Sequence, residues 1–139
     1  MKILFLAMFF IVTAVSASAD VMVNIFPDTL ILPSSCKINK NVESQTFGET
    51  YSCRTLDDKK FWLDFRLNDT DLVANLHNDL NVLDIIETDL YPYTFYQITA
   101  QGSGSKVEFI SYCTDDVCMD LFGDYDDSFK KLLASQLGG

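Results

Sequence analysis

The clearest regularity along the chain is an alternation. Phe61, Leu63, Phe65 and Leu67 are apolar, and Trp62, Asp64 and Arg66 fall between them. A period of two sends successive side chains to opposite faces, so this run predicts a β-strand with one buried face. Leu56-Asp57-Asp58-Lys59 before it reads as a turn. Glu49 to Thr55 before the turn reads as a second strand, with Tyr51, Cys53 and Thr55 on one face. The two runs predict a hairpin. Tyr93 to Ala100 and Lys106 to Cys113 form a second such pair, joined by the small, flexible Gln101-Gly102-Ser103-Gly104-Ser105. Val21 to Phe26 is a shorter strand candidate. Pro27-Asp28 breaks it, and Thr29 to Leu32 resumes the extended chain before Pro33. Ser34 to Gln45 is polar and reads as a loop.

The pattern changes twice. Between Asn68 and Glu87, Leu72, Val73, Leu76 and Leu80 have helical spacing behind Asn68 or Asp69 as cap, whereas Leu72, Ala74 and Leu76 also fit a strand. The expectation here is a short strand or one helical turn, followed by a strand from Val82 to Ile86. At the C-terminus, Phe129, Leu132, Leu133 and Leu137 make one apolar stripe at helical spacing. Asp124, Asp126 and Asp127 precede it, where negative charge favours a helix start, and Gly138 suits its end. The predicted helix runs from about Asp127 to Leu137. The fold class that follows is mainly β (α+β): an antiparallel meander or small barrel-like sheet of about five to seven strands with a C-terminal helix. An aromatic share of 13% suits a pleated, half-buried surface.

The N-terminus is of another kind. Lys2 is followed by an apolar run from Ile3 to Val15 and then by Ala17-Ser18-Ala19. A run of about 13 residues is too short to span a bilayer, and small-x-small residues mark a signal-peptidase site. Residues 1–19 are therefore expected to be a secretory signal, and residues 20–139 a single disulfide-stabilised domain in the periplasm or outside the cell. No second apolar run is long enough to insert in a membrane after cleavage. The compartment decides how the cysteines read. Cys36, Cys53, Cys113 and Cys118 form an even set, which predicts two disulfides in an oxidising environment. Local closure favours Cys36–Cys53 and Cys113–Cys118. The first of these contributes roughly 3 kcal/mol through restriction of the unfolded chain. His77, the only histidine, is not at finger spacing from any cysteine pair, so neither a metal nor a cofactor is expected.

The net charge of −10, one unit more negative once Lys2 departs, disfavours nucleic acid and anionic membranes. It favours a basic protein as partner, since long-range attraction raises the rate of encounter. Catalytic signatures are absent. Asp71 and Asp79 flank His77 in sequence, but Gly102-Ser103-Gly104-Ser105 is not G-x-S-x-G and lies between two strands. Two disulfides leave no thiol nucleophile. A carboxylate pair for glycoside cleavage can be drawn from twenty acidic residues without specificity. Trp62 is either a stacking surface for a sugar ring or part of a core covered on both sides. The densest charge feature is the tract Asp115, Asp116, Asp120, Asp124, Asp126 and Asp127. It lacks the order of a calcium loop, with Phe129 and Leu132 standing where ligands are wanted. Helix-start stabilisation accounts for Asp126 and Asp127 but not for Asp115, Asp116 and Asp120. These three are the candidate partner-binding residues, in and just after the Cys113–Cys118 loop. The function expected is that of an exported small acidic binding protein, an inhibitor or immunity protein that blocks a basic toxin or hydrolase. The alternatives are a hydrolase of cell-wall or extracellular polymers using paired Asp residues, and a ligand carrier.

Tyr51-Ser52-Cys53, a turn and an alternating strand resemble the opening of the small periplasmic lysozyme inhibitors of the membrane-bound C-type class. The likeness covers about 20 residues and stops before that family's inhibitory loop. Asn68-Asp69-Thr70 is an N-glycosylation sequon if the chain passes through a eukaryotic secretory route.

Overall fold

The structure, a computed structural model, describes residues 19–39, 48–69, 71–77, 79 and 81–138. The expected signal segment up to residue 18, residues 40–45 of the predicted loop and Thr70 of the sequon lie outside the described residues. Among those described, the chain forms nine strands and two helices. β1 (Val21–Val23) and β2 (Leu30–Leu32) make a small antiparallel ribbon. β3 (Lys37–Ile38), β4 (Gly48–Arg54) and β5 (Lys60–Leu67) form one meander. After α1 (Leu72–His77), β6 (Val82–Leu90), β7 (Tyr93–Gln101), β8 (Lys106–Cys113) and β9 (Val117–Gly123) form a second. The two meanders meet along β5 and β9 in one antiparallel seven-stranded sheet of order β3-β4-β5-β9-β8-β7-β6. The sheet is open, not a closed barrel. α2 (Asp127–Gln136) follows β9.

Alternation decides which face is covered. Phe61, Leu63 and Phe65 of β5 point to the same side as Met119 and Leu121 of β9 and Ile110 and Tyr112 of β8, and all are buried. Phe129, Leu133 and Leu137 from the C-terminal stripe close over them, and Val23, Leu30 and Leu32 of the ribbon extend the cover. Leu132 packs at the margin of this core. Phe129 meets Phe61 edge-on with ring centres 4.6 Å apart, and Phe26 does the same to Phe65 at 5.6 Å and Tyr93 at 5.1 Å. Each buried Leu or Phe is worth about 1.5–3 kcal/mol relative to exposure, so the C-terminal stripe is a principal anchor. Asp126 caps α2: its Oδ1 accepts the Phe129 N–H at 2.9 Å. Gly138 has φ +71°, and a Cβ there would stand 2.8 Å from the Leu90 carbonyl oxygen, so glycine fits where a larger residue would not. Gly123 is similar, with φ +101° and a hypothetical Cβ 2.8 Å from Phe61 Cα across the β5–β9 ladder.

Four points differ from the sequence expectations. Val21 to Phe26 is a strand only as far as Val23. The chain then bends so that Phe26 becomes a core plug between Phe65 and Tyr93. Of the two alternatives for the segment after Asn68, the structure has the helical one, a helix of six residues, and it starts later than the expected cap at Asn68 or Asp69. Asp71 starts it by accepting the Ala74 N–H at 3.0 Å. Lys37–Ile38, within the predicted loop, pairs with β4. Residues 117–123 show no alternation in sequence, yet β9 is central. Its apolar run serves because both of its faces are partly covered, the outer one by aromatic neighbours. Both disulfides form as expected, Cys36–Cys53 and Cys113–Cys118, which is compatible with an oxidising compartment. No helix among the described residues is long and apolar enough to cross a membrane.

Candidate functional site

The β8–β9 hairpin is closed by a short connection. Cys113 and Cys118 are the last paired residues of the ladder and are bonded to each other. Beyond them the Thr114 N–H donates to the Val117 carbonyl at 2.8 Å, leaving only Asp115 and Asp116 at the tip. The Thr114 hydroxyl accepts from the Val117 N–H at 3.1 Å and the Asp116 N–H at 3.3 Å. Asn68, at the end of β5, clamps the turn from outside. Its N–H reaches the Asp116 carbonyl and its Nδ2 the Thr114 carbonyl, both at 2.8 Å. These five backbone and side-chain ties and a disulfide therefore hold the tip, while the Asp115 and Asp116 side chains stand exposed.

Two other segments converge on this end of the sheet. The β6–β7 turn brings Asp89 and Tyr91, and Tyr91 is 91% exposed. The bend after β1 brings Phe26 and Asp28. A cavity of about 560 Å³ lies between them and the acidic tip, bordered by Asp89, Asp115 and Asp116 and by no lysine or arginine. Tyr93 donates its hydroxyl to Asp28 at 2.9 Å. Burial and then this acidic partner push the Tyr93 phenol up to about 12. The hydroxyl thus stays protonated and fixes the bend.

Asp120 is placed differently. It lies on β9, on the face away from α2, and is held by Arg66: Nε at 2.6 Å and Nη2 at 3.3 Å. The buried Ser111 hydroxyl donates to the same carboxylate at 2.6 Å. Asp115 and Asp116 are thus brought together, whereas the charge of Asp120 is matched by Arg66 within the sheet. Asp64 is the register partner of Asp120 on the adjacent strand, and it accepts the Thr50 hydroxyl at 2.8 Å. Like charges opposite each other are unfavourable, and Arg66, Ser111 and Thr50 offset this. Two residue pairs further along, on the same face, Trp62 and Phe122 stack with ring centres 5.8 Å apart. Trp62 is therefore half-buried on the outer face, not in the main core.

Of the other sequence candidates, His77 ends α1, and Asp126 and Asp127 belong to the start of α2. Among the described residues no group of three or more His, Cys, Asp or Glu is placed to hold a metal ion. Asp28, Asp89 and Tyr91 were not singled out from sequence. Convergence of distant segments leaves no local signature in the sequence. No protein-family model matches the chain, and no curated protein matches it. The likeness to lysozyme inhibitors therefore stays confined to the β4–β5 hairpin.

Proposed function

We propose that this is an exported binding protein, acting in the periplasm or outside the cell, that captures a basic protein such as a toxin or hydrolase and blocks it through the acidic rim. The observation that carries the reading is the rim itself. Asp115 and Asp116 are presented on a pinned turn beside Asp89, with no cation among the residues lining the cavity they border. An unneutralised patch on a chain of net charge −10 steers a basic partner, and a rigid turn loses little conformational entropy on contact. Asp120 serves this reading as internal support of β9, since its charge is already matched by Arg66.

The test is association with basic secreted hydrolases and toxins, measured by rate against salt. Asp89→Asn, Asp115→Asn and Asp116→Asn together should slow association and flatten its salt dependence, because exposed charges beyond about 8 Å are screened at physiological ionic strength. Unchanged association in the triple variant would falsify the reading.

A second reading, hydrolysis of an extracellular glycan, draws on one specific observation: Asp64 and Asp120 face each other beside the Trp62–Phe122 stack. It needs one carboxyl held protonated as general acid. Asp120 is held against Arg66 and Ser111, so Asp64 is the carboxyl of the pair to test as the acid. Loss of glycan cleavage in Asp64→Asn with the fold intact would support it, and no cleavage by the native chain would dismiss it.

A further inference from the structure

The two edges of the sheet differ in kind. β3, at one edge, is only two residues long. β6, at the other, is nine residues long and is paired on one side alone among the described residues, with β7. A strand edge displays a row of unpaired N–H and C=O groups that can template another chain, and proteins usually guard such edges with lysine, proline or shortness. β6 has neither lysine nor proline. Its one irregularity is a register shift between Val82 and Asp84, at its start. From Asp84 to Leu90 it pairs with β7 without interruption. Its side chains are open on both faces: Ile86 is 49% and Leu83 50% exposed.

We propose that the β6 edge is a docking site for an extended basic segment of a partner protein, which adds to the sheet as an eighth strand. Charge selects this occupant. Asp84, Glu87 and Asp89 are the only charged residues of β6, and alternation puts Asp84 on one face and Glu87 and Asp89 on the other. A guest strand with Lys or Arg at alternating positions meets a carboxylate on whichever face its cations lie, and cross-strand pairs of opposite charge favour that register. A second copy of this chain fits less well, since it would bring three carboxylates from each strand into one ladder with no cation. The edge also runs into the rim, because Asp89 both ends the carboxylate series of β6 and lines the rim cavity. Backbone hydrogen bonds would supply affinity, and the carboxylates the choice of partner. The inference takes the basic partner from the proposed function and adds where and how its chain is held.

The probe is a nine-residue peptide of alternating Lys with Val and Thr, compared with the same peptide carrying N-methyl groups on three consecutive central amides. Methylation keeps the charge and removes donors from both edges of the peptide. Strand addition predicts at least about tenfold weaker binding of the methylated peptide, through the lost ladder bonds. It also predicts new protection from hydrogen exchange for those β6 amides that face away from β7. Ile86→Lys, an exposed change that places a guarding cation on the edge, should weaken the unmethylated peptide by a similar factor. Asp115→Asn with Asp116→Asn should affect both peptides alike, so failure of the rim leaves the methylation contrast intact. Equal binding of the two peptides without β6 protection overturns strand addition while leaving the rim standing. Binding of neither peptide also overturns it. A concentration-dependent dimer whose β6 amides are protected without peptide replaces the basic segment by a second copy.

Discussion

The two ends of the sheet use carboxylates in opposite ways. At the end where α2 begins, Glu108 is turned inward. It accepts from Gln97 Nε2 at 2.7 Å, Lys130 Nζ at 3.1 Å and the Tyr125 hydroxyl at 3.1 Å. Burial works against its ionisation, but the hydrogen bonds from Lys130, Gln97 and Tyr125 outweigh it and hold the carboxyl below its ordinary range. The contact with Glu108 in turn raises Lys130, and burial with the Glu108 charge beside it pushes the Tyr125 phenol up. A cavity of about 660 Å³ at this end is lined by Lys59, Lys106 and Lys130 as well as by acids. At the other end the rim carboxylates border a cavity with no cation. The comparison teaches that equal residue types do unlike work: those of the first end fasten a helix to the sheet, and those of the second are left facing outward.

The largest expected effect comes from removing what holds the first end together. Leu133→Ala deletes a fully buried side chain and should cost about 2–5 kcal/mol, lowering the melting temperature in calorimetry, while the exposed Lys131→Ala should not. If the two are equal, α2 is a loose appendage and the comparison fails. Next in size is Arg66→Ala, which leaves Asp120 facing Asp64 without its counter-charge. A loss of about 1–3 kcal/mol in urea unfolding is expected, and Asp64→Asn in the same chain should restore part of it.

pH separates the carboxylate contacts from the phenol contacts. Glu108 is depressed in the folded state, so its contribution is present above the ordinary carboxylate range and is lost as pH falls through and below it. Tyr51 and Tyr93 run the other way. Burial, with Glu49 beside Tyr51 and Asp28 beside Tyr93, raises both phenols to about 12. Their contribution is full below the unfolded value near 10 and declines as pH rises toward 12, which alkaline unfolding followed by tyrosinate absorbance should record. The smallest effect is expected at the rim. Asp115→Asn with Asp116→Asn should change stability by no more than about 0.5 kcal/mol, because neither side chain is buried. A larger gain or loss would mean that the rim charges take part in folding after all.

The local part of this fold was legible in the sequence. Alternation over residues 61–67, the turn before it and the Gly-Ser loop at 102–105 each lie within one hairpin, and the stripe of Phe129, Leu133 and Leu137 lies within one helix. Both disulfides close short stretches, so proximity along the chain was a sound guide to proximity in space. What escaped was non-local. β9 lacks alternation because Trp62 and its neighbours on the outer face partly cover it. Asp120 looked like a surface charge because its partner Arg66 is 54 residues away. The rim was half legible: Asp115 and Asp116 stood out as a charge run, whereas Asp89 joins them only through the placement of the β6–β7 turn beside the tip.

The strand order also bears on how the molecule assembles. Within each meander the paired strands are neighbours in sequence, and β4–β5, β6–β7, β7–β8 and β8–β9 are joined by connections of two to five residues, so their loop-closure cost is low. The seven residue pairs between β5 and β9 are different, for they join halves separated by the α1 connection. That seam carries the largest loop-closure cost of the sheet, and Phe61, Leu63 and Phe65 against Met119 and Leu121 are the buried contacts that offset it. The chain is thus two meanders with one seam between them, and the shared core of Phe61 with Phe129 and Phe26 with Tyr93 ties each to the other.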